Sequence, residues 1–133
     1  MPPVPVPPEI DRFLSQPNPA VVGTVRPDGA PHTAPTWYDW EDGKILLNME
    51  DTRSRLEHLR AESRVSLSVL DKDDWYHHVT LLGRIVSLEE DPDFSQIDRL
   101  SLRYTGKAYA KRDRPRFSAW VQPESWHEWP PRR

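Results

Sequence analysis

The sequence predicts a mainly β domain, an antiparallel barrel of about six strands with short helices covering its gaps. Two observations carry this. Apolar runs of strand length recur along the chain, as in Ala20-Val21-Val22-Gly23-Thr24-Val25 and Lys44-Ile45-Leu46-Leu47-Asn48-Met49. Most are joined by tight turns, which make neighbouring strands antiparallel and favour closure of the sheet.

Residues 1–8 contain five prolines, so they read as an extended arm that neither forms a helix nor pairs in a sheet. Residues 9–14 form a short amphipathic helix with Ile10, Phe13 and Leu14 on one face, ended by Pro17. The first strand covers residues 20–25. Pro27-Asp28-Gly29 turns it back, because Pro presets φ and Asp-Gly suits a hairpin. A second strand runs over residues 30–40, where Pro31 and Pro35 imply an edge or a bulge. Glu41-Asp42-Gly43 is the next hairpin turn, and residues 44–49 the third strand.

Residues 56–61 read as a second short helix. Residues 64–70 alternate with period two, as a half-buried strand does. Asp71-Lys72-Asp73-Asp74 is a charged loop, and residues 75–88 make a long strand bent at Gly83. Asp91-Pro92 opens a third helix whose face carries Phe94, Ile97, Leu100 and Tyr104, with Gly106 at its end. A basic loop spans residues 107–115. The last strand covers residues 116–121 and 125–129, split by Pro123. The expected organisation is an arm at 1–8, one domain at 9–129 and a tail at 130–133.

Composition limits the function classes. The chain has 133 residues, enough for one core, but 36% hydrophobic content and a mean hydropathy of −0.78 are low for a self-sufficient monomer. Six Trp, four Tyr and three Phe offset this in part, and dimerisation is the usual way to complete such a core. A net charge of −3 argues against bulk nucleic-acid binding. The absence of Cys excludes disulfides, thiolate nucleophiles and thiolate metal sites. No run approaches a membrane span and no signal-peptide pattern opens the chain, so a cytoplasmic location is expected.

The most informative stretch is Asp51-Thr52-Arg53-Ser54-Arg55, at the junction of a strand and a helix. A helix start offers free N–H groups and a partial positive charge, and arginine adds a planar fork matched to phosphate oxygens. A phosphate-bearing ligand fits this pattern. So does a plain helix cap at Asp51 or Thr52 with solvated arginines. Arg53 and Arg55 reach one anion only if Arg53 lies in the loop or first turn, because i,i+2 residues do not share a helix face.

Several stretches together resemble the pyridoxamine 5'-phosphate oxidase-like split β-barrel proteins, and among them the flavin/deazaflavin oxidoreductases that bind coenzyme F420. They are Gly23 to His32, Pro35 to Tyr38, Asn48 to Arg55 with Leu59-Arg60, Arg64 to Leu67, Gly83-Arg84, Ile97 to Leu100 and Arg103 to Gly106. The resemblance spans roughly residues 9–129. It implies the FMN-binding split β-barrel fold, six-stranded and antiparallel, in a homodimer with two cofactor sites at the subunit interface. It also implies that Arg53 and Arg55, with Thr52 and Ser54, hold the cofactor phosphate. Pro35, Thr36, Trp37, Asn48, Met49 and Glu50 then lie along the ring, and Trp75 and Tyr76 are candidates to face the partner's cofactor, with core or loop packing as the alternative. Trp126 and Trp129 border the interface, though three apart on a strand they do not both point inward.

The resemblance implies an oxidoreductase moving a hydride between coenzyme F420 and a small unsaturated organic substrate, with FMN as the alternative cofactor. Arg60, Lys107, Lys111 and Arg112 are the basic residues available to the acidic F420 tail. A non-catalytic cofactor carrier and a flavin-free groove for another ligand such as haem remain open beside it. No catalytic residue is assigned; Tyr38 is a candidate proton source. His77 and His78 point to opposite faces of a strand, so no metal site is expected. His32 reads as surface, His58 as bordering the site or surface, and Asp39, Glu41 and Asp42 as solvated turn residues. Glu50 is out of place beside a phosphate unless it pairs with Arg53 or faces away.

Overall fold

The computed structural model describes residues 1–132, so Arg133 of the expected tail lies outside the described residues. Three helices, α1 (Pro8–Leu14), α2 (Ser54–Ala61) and α3 (Ser95–Thr105), accompany seven strands. The strands are β1 (Ala20–Val25), β2 (Pro31–Thr36), β3 (Asp39–Glu41), β4 (Lys44–Glu50), β5 (Arg64–Asp71), β6 (Asp74–Glu90) and β7 (Arg116–Trp129). They form one antiparallel sheet in the order β2-β1-β5-β6-β7-β4-β3.

Strands number seven rather than six because the expected run over residues 30–40 breaks at Trp37-Tyr38. There the chain leaves one edge of the sheet and joins the other. The split of the barrel therefore lies between two strands that are consecutive in sequence. The hairpin between β3 and β4 is a two-residue turn with Asp42 at φ 51° and Gly43 at φ 73°, the positive pair that matches strand twist. Pro123 does not interrupt β7. It sits opposite Gly83, where the β6–β7 register shifts.

The arm does pair, contrary to expectation. Pro3 bridges Ser125, Val4 N–H donates to the Glu124 carbonyl at 3.3 Å, and Trp126 N–H donates to the Pro2 carbonyl at 3.0 Å. Proline lacks only the donor, so the Pro2 carbonyl and the Val4 N–H stay free for a bridge.

β4 is buried on both faces and explains how core and site are divided. Side chains alternate along a strand. Ile45, Leu47 and Met49 enter the main barrel core with Val22, Leu67, Val79 and Leu81. Leu46 faces the other way and joins Ile97 and Leu100 of α3 in a second cluster bordered by Trp37, Tyr109 and Trp120. α1 delivers Ile10 and Leu14 to the main core, and α2 delivers Leu56 and Leu59.

α3 starts later than its sequence signal. Asp91 does cap it, but from upstream: its carboxylate accepts from the N–H groups of Gln96 (3.1 Å) and Ile97 (3.0 Å). The turn between folds beneath the first helical turn, with Phe94 at φ 61°. Gly106, at φ 76°, closes the helix as expected. None of these helices is long and apolar enough to cross a membrane.

Candidate functional site

α2 begins without a side-chain cap. Asp51 forms a two-pronged pair with Arg114 (2.9 and 3.2 Å), and the Thr52 hydroxyl donates to Glu50 at 3.0 Å. The Arg114 hydrogen bond holds the Asp51 carboxyl below its ordinary range. Neither residue therefore serves α2 as a cap. The N–H groups of Ser54 and Arg55 have no hydrogen-bond partner among the described residues. Arg53 is the residue before the helix, with extended φ and ψ, which meets the geometric condition for both arginines to reach one anion. A hollow of about 300 Å³ lies here, lined by His32, Thr33, Ala34, Pro35, Arg53, Ser54 and Arg55.

Arg55 also lines a larger cavity of about 480 Å³. Its other walls include Pro35, Thr36, Trp37, Asn48, Tyr104, Tyr109 and Arg116. Trp37 stacks on Tyr104 (centroids 5.5 Å apart, planes 8° apart) and meets Tyr109 edge-on at 6.1 Å. No lining residue of this cavity is acidic. Burial, then the charges of Arg53 and Arg116, pull the Arg55 pKa below its ordinary value. None of these three arginines is ion-paired to an acidic residue among those described.

The expected site residues divide by strand face. Pro35, Thr36, Trp37, Asn48 and Arg55 line the large cavity, and Pro35, Arg53, Ser54 and Arg55 the smaller one. Met49 points into the barrel core. Glu50 is half-buried at the end of β4 and accepts from Thr52; it forms no ion pair with Arg53. Trp75 and Tyr76 stand 76% and 56% exposed at the start of β6, so neither is a core residue. Trp126 packs against the core and Trp129 is 40% exposed, as three-residue spacing on a strand requires.

Asn48 is buried and its amide is engaged within the protein. Its Nδ2 donates to Asp91 (3.1 Å) and Ser118 (3.0 Å), and its Oδ1 accepts from Arg116 Nε at 2.7 Å. It lines the cavity beside Arg116, which the sequence reading missed. The signal was the alternation of β7: Arg116, Ser118 and Trp120 lie on the same face of the sheet as Asn48 and Leu46, while Phe117, Ala119 and Val121 face the core.

Four single-residue expectations change. Tyr38 is fully buried, its hydroxyl donates to the Leu14 carbonyl at 2.7 Å, and burial raises its pKa far above the ordinary value, so it is no proton source. His58 is buried beneath Thr24, whose hydroxyl lies 2.8 Å from Nδ1; burial and then His32 hold its pKa down. His32 is half-buried and meets His58 edge-on at 5.1 Å. Asp39 is half-buried rather than solvated: Arg99 binds it at 2.7 Å and Arg103 lies 3.3 Å away, whereas Glu41, which Arg99 also meets at 3.0 Å, stays exposed as expected. Of the basic residues suited to an acidic tail, Arg112 is engaged by Asp98 at 2.8 Å.

Fold and site define a split β-barrel with a cation-rich, aromatic-walled cavity. The profile of the pyridoxamine 5'-phosphate oxidase family matches residues 6–130, and the chain belongs to that family. Among solved structures, an F420 reductase is 25% identical with a TM-score of 0.84, covering 92% of this chain and 98% of that one. A conserved hypothetical protein from Mycobacterium tuberculosis is 24% identical, TM-score 0.75, covering 95% of this chain and 85% of that one. A candidate pyridoxamine 5'-phosphate oxidase from Listeria innocua is 18% identical, TM-score 0.69, over 91% and 95%. The latter two are likenesses of fold alone. No curated protein sequence matches the chain.

Proposed function

We propose that the protein is an oxidoreductase that binds coenzyme F420, with FMN as the alternative cofactor, and acts on a small unsaturated organic molecule. The observation that carries this is the start of α2: two free N–H groups, Arg53 and Arg55, with no acidic partner to neutralise either arginine. That donor set fits a phosphate, since a charged fork and a helix start favour the same dianion. Pro35, Thr36 and Trp37, which continue from it into the large cavity, suit the edge of a planar ring.

In this reading Arg53, Arg55 and Ser54 hold the phosphate, and Pro35, Thr36 and Trp37 border the ring. When bound, the cofactor supplies hydride transfer. The protein's part is to orient it, exclude water and set the local charge.

A homodimer belongs to the same proposal. Trp75, Tyr76 and Trp129 are exposed aromatics, and Tyr76 lies 6.5 Å from Trp129. Such a patch suits a partner surface near the neighbour's cofactor.

The test is fluorescence titration of the protein with F420 and, separately, with FMN. The reading expects tight binding of one of them, weakened at least tenfold in Arg53→Ala and in Arg55→Ala. Binding of neither cofactor overturns it. Sedimentation of the same sample checks the dimer.

A further inference from the structure

Arg116 is 8% exposed and lines the large cavity. Its Nε–H donates to a neutral amide, Asn48 Oδ1, at 2.7 Å. Its guanidinium lies over the Tyr109 ring, 4.8 Å from the centroid. Its two Nη groups have no hydrogen-bond partner among the described residues, yet they are not sealed from solvent.

A buried cation without an anion is costly, and buried arginines are normally paired. Asp91, the buried acid of this network, is already committed. Its carboxylate accepts from Asn48 Nδ2 and from the Gln96 and Ile97 N–H groups. Asn48 therefore stands between Asp91 and Arg116 as a neutral bracket. It fixes the guanidinium by one edge and leaves the opposite fork unanswered. Tyr109 fixes the plane of that fork by stacking on it. The fold orients a cation toward open volume and supplies no counter-charge.

The walls say what shape of anion fits. Trp37, stacked on Tyr104, presents flat apolar surface in the same cavity, and Ile97 and Leu100 close one side. A spherical inorganic anion would leave that surface wet. A planar conjugated acid would cover it while its two oxygens meet the two Nη groups, the bidentate arrangement that arginine favours.

We propose that the Arg116 side of the large cavity is a binding subsite for a planar conjugated carboxylate, with Arg116 receiving the carboxylate and Trp37 walling its conjugated plane. This names the substrate class for the oxidoreductase reading and, in assigning the other end of the cavity to a cofactor, rests on it. Arg116 is a binding residue for the substrate, and Asn48 and Asp91 are its positioning residues. The phosphate end at Arg53 and Ser54 lies in the adjoining hollow, sharing Pro35 and Arg55 with the cavity.

The experiment compares trans-cinnamate with its neutral isostere cinnamamide by isothermal titration calorimetry on the full chain. The expected result is saturable cinnamate binding at least tenfold tighter than that of the amide. In Arg116→Gln the preference should fall below twofold, and Arg116→Lys should retain part of it, as a point charge without a fork. Equal affinity of the two probes for the unaltered protein overturns the subsite, and that measurement needs no variant to fold. So does the absence of cinnamate binding, or an undiminished preference in Arg116→Gln. F420 and FMN are titrated alongside. A bound cofactor with no acid preference removes the subsite alone, and acid preference with neither cofactor bound removes the cofactor reading and leaves the subsite.

Discussion

The Tyr38 hydroxyl donates to the Leu14 carbonyl at 2.7 Å and lies 3.0 Å from the Gln16 carbonyl, tying the break between β2 and β3 to the end of α1. Arg103 braces the same point, donating to the carbonyls of Tyr38, Ser15 and Gln16. Tyr38→Phe leaves the Leu14 carbonyl with a weaker set of donors and is expected to cost about 1–2 kcal/mol. Urea unfolding checks the loss. Spectrophotometric titration of the unaltered protein should show one tyrosine that stays protonated until the fold opens.

Gly83→Ala is expected to destabilise by about 1–3 kcal/mol. An added Cβ would run into the Gln122 carbonyl oxygen and stand 2.8 Å from Pro123 Cα, both backbone and unable to swing away. Thermal denaturation checks this. An alanine at exposed Gly29 meets open space and is strained by its φ of 87° alone, so its cost has a separate cause.

Asp91→Ala removes the acceptor for two α3 N–H groups and for Asn48 Nδ2 together. A loss of about 2–4 kcal/mol is expected from the lost cap and the orphaned amide. Urea unfolding measures it. If Asp91 also positions Arg116 through Asn48, the same variant loses cinnamate preference at temperatures where it remains folded.

His77 gives a pH dependence. Its Nε2 lies 2.9 Å from Glu128 and its Nδ1 3.3 Å from Asp71. Burial pulls its pKa down, but the two carboxylates outweigh that and leave it raised above 6.5. A raised histidine stabilises fully below its unfolded pKa and loses that contribution as pH climbs through the folded value. Stability should therefore fall as pH rises from about 6.5 into the alkaline range. His77→Gln should flatten that slope. Urea midpoints across the range decide it, with Arg132, which pairs with Glu128, left unchanged.

Glu50→Gln is expected to raise affinity for a phosphate-bearing cofactor about two- to fivefold, the size of one partly exposed charge interaction. Glu50 sits at the end of β4, accepts from Thr52 and carries its charge close to the start of α2. Titration of the variant with FMN or F420 measures the gain.

Much of the architecture was readable because it rests on local signals. Asp42-Gly43 declared its hairpin, Gly106 its helix end, and residues 64–70 their half-buried strand. The basic junction was readable too, since Arg53 and Ser54 flank the start of a helix in sequence as in space. What escaped depends on pairing between distant segments. Arg116 matters because β7 runs beside β4 and puts it near Asn48, 68 positions earlier. Asp39 looked like a solvated turn residue until α3 brought Arg99 to it. Periodicity places Met49 and Asn48 on opposite faces, but not which face meets the barrel interior.

The break at Trp37-Tyr38 also limits how far the sheet can open. Its two free edges, β2 and β3, are tethered by the three peptide links from Thr36 to Asp39. Those links span at most about 11 Å between Cα atoms however the strands breathe. The link is a leash of fixed length, and Tyr38 and Arg103 peg its middle to the end of α1. Lengthening it by a few residues should let the two edges drift apart before the strands themselves loosen.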